Sequence, residues 1–65
     1  MTTAQLRECA RAAADRIAWS EAAELMAEAI AKYPGNPASP LVQLDLANMQ
    51  RLLAGYRAAA RQEAA

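Results

Sequence analysis

Histidine and phenylalanine are absent from this 65-residue chain, and cysteine occurs once, as Cys9. Each absence removes a class of chemistry. Without histidine, the side chain best suited to proton transfer near neutral pH is missing. One cysteine makes no intrachain disulfide, and without histidine it leaves no ligand set for structural zinc. No glycine-rich, phosphate-cradling loop is present, because there are only two glycines, Gly35 and Gly55. No apolar run approaches the ~20 residues of a membrane span. The N-terminus lacks the continuous apolar stretch of a secretory signal. Net charge is formally zero, so no excess of cations is available to neutralise phosphates. Arg51, Arg57 and Arg61 could form a local basic patch in the second arm, offset in part by Asp45 and Glu63. Catalysis, metals and cofactors are therefore not expected. An unpaired cysteine fits a reducing compartment, and a cytoplasmic setting in a bacterium or phage-infected host is expected, in line with the abundance of alanine and arginine.

What is present is alanine, 19 residues of it, which is the best helix former and buries little area. A chain this short has a marginal core. With disulfide and metal excluded, self-association or a larger partner is the remaining staple. The large apolar residues concentrate between Ile17 and Tyr56.

All three prolines lie between Tyr33 and Leu41, in Pro34-Gly35-Asn36-Pro37-Ala38-Ser39-Pro40. This segment divides two helical arms. Thr2 with Gln5 forms a capping-box pattern, and Thr3 is an equally good N-cap without the box. From there Leu6, Cys9, Ala10, Ala13 and Ile17 share one face at 100° per residue. Beyond Trp19 the apolar residues, among them Ala22, Ala23, Met26, Ala29 and Ile30, point roughly the opposite way. The helix either breaks near residues 17–20, with Ser20 as a new N-cap, or continues and packs against different neighbours along its length. No Gly or Pro marks a break, and the balance favours one long helix over about 3–33. Pro34 ends it, and Gly35 is available for a left-handed turn residue.

The turn occupies 34–39. Ser39 as N-cap and Pro40 at the first helical position start a second helix over about 40–62, with a loose tail beyond. Val42, Leu46, Met49, Leu53, Tyr56 and Ala60 form its main apolar seam. A second stripe holds Leu41, Asn48, Leu52, Gly55 and Ala59, with Leu44 on its margin. Gly55 either admits a close neighbour or marks fraying.

The expected fold is a single all-α domain: an antiparallel helical hairpin with a long first arm, completed as a four-helix homodimer. The overhanging face of Leu6, Ala10, Ala13 and Ile17 is where a second copy is needed. Trp19, Leu41, Leu44, Leu52 and Tyr56 complete the set of candidate interaction residues. Trp19 is either a core residue packed on Tyr56 or an interface anchor, since Trp and Tyr dominate binding hot spots. Cys9 reads as a small buried hydrophobe. Glu21, Glu24 and Glu28 read as a solvated face.

Residues 19–36, from Trp19 to Asn36, resemble the second helix of a tetratricopeptide repeat. Ala22, Met26, Ala29 and Ile30 stand at that family's small and large packing positions, and Pro34 stands at its closing proline. Leu6, Cys9, Ala10 and Ala13 match the first helix without its aromatic residues, and the turn between the two lacks the family's glycine. The resemblance implies a protein-binding scaffold, although a single repeat has no neighbours to stack on.

Composition and resemblance agree on a non-enzymatic protein–protein interaction module that dimerises and binds a larger protein, as an adaptor, a chaperone subunit or an inhibitor of a regulator. The alternatives are a structural component of a phage or secretion assembly and a nucleic-acid-associated regulator.

Overall fold

The computed structural model describes residues 1–36 and 38–64; Pro37, part of the expected turn, and Ala65 lie outside them. Three helices form: α1 (Thr3–Asp15), α2 (Trp19–Ala31) and α3 (Pro40–Ala64). No strand occurs among the described residues.

Thr2 caps α1, and the capping box is complete. The Gln5 backbone N–H donates to Thr2 Oγ1 at 3.1 Å, and the Thr2 N–H donates to Gln5 Oε1 at 2.8 Å. Thr3 does different work. Its hydroxyl donates to the Lys32 carbonyl at 3.0 Å, which brings the start of α1 beside the residue that follows α2.

The long first arm is corrected: it is two helices. α1 stops at Asp15, and the chain turns through Arg16, Ile17 and Ala18. The Ile17 N–H donates to the Ala14 carbonyl at 2.9 Å, and the Ala18 N–H to the Ala13 carbonyl at 2.8 Å. That pair of bonds is the Schellman termination, whose left-handed residue is usually glycine. Here it is Ile17, at φ 62°. A β-branched side chain in that region costs about 1–2 kcal/mol. The cost is outweighed because reversal buries both apolar faces that a straight helix would hold apart. Leu6 and Met26 become 1 % and 2 % exposed, and each such side chain contributes about 1.5–3 kcal/mol on burial. Ala10, Ala13, Ala22 and Ala29 are buried around them. These small side chains let α1 and α2 lie close together.

Ser20 is not the cap of α2. Ala18 occupies that position and offers no side-chain acceptor. Glu21 lies in the first turn, where its charge complements the helix dipole. It also pairs with Arg16 at 3.2 Å across the break.

After α2 the chain is held by local bonds. The Ala38 N–H donates to Asn36 Oδ1 at 3.0 Å, and the Ser39 N–H to the Asn36 carbonyl at 3.0 Å. Gly35 serves packing rather than handedness, since no glycine has positive φ among the described residues. A Cβ on Gly35 would meet Tyr33 Cε1 and Val42 Cγ2, each at 2.7 Å. α3 then packs along α2 by the expected seam. Met49 is fully buried, and Leu46, Leu53 and Tyr56 pack against the same core. Trp19 and Tyr56 meet with ring centroids 6.0 Å apart. The helix continues to Ala64, through residues expected to be a loose tail.

Candidate protein-interaction surface

The structure divides the sequence-derived interaction residues into two groups. Leu6, Ala10 and Ala13 are interior, covered by α2 of the same chain. The overhanging face proposed for them does not exist, because the turn at Ile17 folds it inward. A four-helix dimer built through that face loses its basis. Trp19 and Tyr56 are half-buried against each other, so the Trp19 ring is part of the packing between the start of α2 and the later half of α3.

The remaining four are exposed. Ile17 is 61 % exposed at the tip of the α1–α2 turn. On α3, Leu41 is 79 %, Leu44 62 % and Leu52 47 % exposed. At 100° per residue these three leucines lie on one side of α3, roughly 120° around from the Met49 seam. Asn48 and Gly55 lie in the same stripe, both exposed. A Cβ on Gly55 would meet nothing within 4 Å, so within one chain no neighbour approaches it. The three leucines together expose nearly two whole side chains. Burying them would contribute about 3–5 kcal/mol per copy, a large sum beside the ~3–10 kcal/mol that holds a domain of this size together.

Beside this stripe an open cleft of about 410 Å³ runs between α1 and α3, lined by Arg7, Glu8, Arg11, Met26, Leu52 and Tyr56. One wall is fixed by a cluster that composition did not reveal. Asp45 on α3 receives two hydrogen bonds from Arg7 of α1, at 3.0 and 3.1 Å, and a third from the Tyr33 hydroxyl. The carboxylate thus ties α1, the end of the α2 segment and α3 together. The hydrogen bond from Tyr33, then that from Arg7, holds the Asp45 carboxyl below its usual range. The same bond pushes the Tyr33 phenol above its usual range, because ionising it would set two anions side by side. The signal for this site is the placement of Asp45 between the Val42–Leu46–Met49 seam and the Leu41–Leu52 stripe. An acid bordered by apolar positions on both sides needs a cation or a donor from another helix.

The arginines of α3 do not gather. Arg57 and Arg61 are one turn apart, while Arg51 lies about 80° or more around the helix from both. All three are exposed. The Glu28 carboxylate pairs with Lys32 at 2.8 Å, and the bond from that ammonium lowers its pKa. No group of three His, Cys, Asp or Glu side chains able to hold a metal occurs among the described residues. No helix among them is long and apolar enough to cross a membrane. Cys9 is half-buried and lines a shallow depression with Met1, Gln5, Glu8 and Ala12.

No family model, no curated protein and no solved structure matches the chain. The likeness of residues 19–36 to a tetratricopeptide helix therefore rests on those residues alone.

Proposed function

We propose that this chain is a non-enzymatic protein–protein interaction module, and that its docking surface is the outer face of α3. One observation carries the reading. Three leucines of a single helix face solvent, the most exposed at 79 %, while Leu6, Met26 and Met49 are buried among the three helices. Side chains that the fold does not use and water does not favour are available for a partner. Charge-poor apolar contact of this kind suits a protein surface better than a phosphate backbone. The separated arginines of α3 give the nucleic-acid reading less support. A cytoplasmic setting belongs to the same proposal, supported by the unpaired cysteine.

Photo-crosslinking in the cells that make the protein tests this reading. A photoreactive residue placed at Leu44 should give adducts of discrete mass. The same residue at Ala4, exposed on α1, should give none. Equal adducts from both positions, or none from Leu44, would remove the assignment of α3. Adducts to many copies of one structural protein would move the function to the assembly reading, and adducts to nucleic acid would revive the regulator.

A further inference from the structure

The stripe on α3 has an internal symmetry. Leu41 and Gly55 each lie seven residues from Asn48, on opposite sides, and Leu44 and Leu52 each lie four residues from it. Reversing the helix about Asn48 therefore sets a leucine over the glycine and a leucine over a leucine. We infer that the outer face of α3 docks a second copy of this chain, with the two α3 helices side by side in opposite directions and Asn48 at the two-fold axis. This rests on the proposed use of α3 as a docking surface and names its partner.

Three features favour a second copy over an unrelated protein. First, an isologous interface needs a self-complementary patch, and the stripe is one. Leu41 is the most exposed leucine among the described residues, at 79 %, and it falls opposite Gly55, the stripe position without a Cβ, where an added one would meet nothing within 4 Å. In the symmetric arrangement each Leu41 faces the open space at the other copy's Gly55. Second, Asn48 stands in the middle of an apolar strip. Against an apolar partner its amide would lose water without return. Against its own symmetry mate it meets a group that both donates and accepts. Third, the area is of the right order for a small, reversible self-contact. From Leu41 to Ala59 the strip is roughly 27 Å long, and a single helix pair of that length buries on the order of 500 Å² per copy, below the ~800 Å² of a standard interface. A contact of that size is expected to be weak and to depend on chain concentration.

Analytical ultracentrifugation up to millimolar chain, combined with spin-label distances, tests the inference. The labels go at Ala47 and at Ala58 in a Cys9→Ala background; both sites are exposed and lie beside the stripe. Opposed helices centred on Asn48 place the two Ala47 labels close together, across roughly one helix spacing of ~10 Å. The two Ala58 labels separate by a further ~30 Å along the axis. Leu44→Arg and Gly55→Arg should each weaken dimerisation at least tenfold. Neither removes a core contact, and Gly55→Arg raises helix propensity, so loss of association with retained helicity isolates the interface. A chain that stays monomeric at millimolar concentration overturns the inference. So does a dimer indifferent to both substitutions, or one with equal distances at Ala47 and Ala58, as helices in the same direction would give. If the chain is monomeric but Leu44 still crosslinks to a heavier protein in cells, self-pairing fails and α3 remains a docking surface. If Leu44 crosslinks to nothing, both readings fail.

Discussion

Glycine and alanine exchanged at position 17 report whether the first arm is broken, because the two arrangements predict opposite signs. In the three-helix fold Ile17 sits at φ 62°, where a Cβ costs about 1–2 kcal/mol. Glycine avoids that cost but loses about 0.5–1 kcal/mol of chain entropy on ordering. Ile17→Gly should therefore be more stable than Ile17→Ala by roughly 0.5–1 kcal/mol. In an uninterrupted helix the same comparison favours alanine by about 0.8–1 kcal/mol. Using alanine rather than isoleucine as the reference removes the same side-chain contacts from both variants, and 61 % of Ile17 is in solvent in any case. The two outcomes differ by roughly 1.5–2 kcal/mol, which in a chain this small is about 6–16 °C in Tm. Thermal unfolding followed by circular dichroism, at one low concentration for both variants, resolves that gap. Alanine more stable than glycine would refute the break at Ile17 and with it the burial of Leu6, Ala10 and Ala13 by α2.

Other outcomes follow from the same packing. Met49→Ala removes a fully buried side chain from the centre of α3 and should cost about 2–4 kcal/mol, read as a lower midpoint of the urea transition. Asp45 has its pKa lowered from the ordinary 3.8. Its contribution is therefore present above that value and is lost as pH falls through the lower folded one. Asp45→Asn should flatten the acid limb of a stability–pH curve measured in urea. Tyr33 has its pKa raised from 10.0, so the fold favours its neutral phenol and that contribution is lost as pH rises through the higher folded value. Tyrosinate absorbance should show part of the phenol signal titrating late in the wild type, and Tyr33→Phe should remove that part.

Much of the architecture was legible in the residues. The Thr2–Gln5 capping box, the start of α3 at Pro40 and the Leu46–Met49–Leu53–Tyr56 part of the seam all follow from local rules of capping and periodicity, and all are present. The break at Ile17 was visible as a switch of apolar face between Ile17 and Trp19. It was not assigned because the usual marker, glycine, is missing; tertiary burial of Leu6 and Met26 overrides the local preference of isoleucine. The same override changed which apolar residues face solvent. Once α1 turns back on α2, Leu6, Ala10 and Ala13 become core, and the leucines on the other side of α3 are what remains outside. The Asp45 cluster was hidden for a different reason. Its partners Arg7 and Tyr33 come from distant positions, and no spacing along the chain encodes that meeting.

Leu6, Met26 and Met49 are buried within one chain, while the outer leucines of α3 are free for the proposed docking. Leu41→Gln combined with Leu44→Gln tests it most directly, by a urea transition at low concentration and photo-crosslinking from position 52 in the same variant. Folding stability should stay within about 0.5 kcal/mol of the wild type, and the crosslinked adducts should be lost. Collapse of the helical signal in this variant, or adducts that persist unchanged, would contradict it.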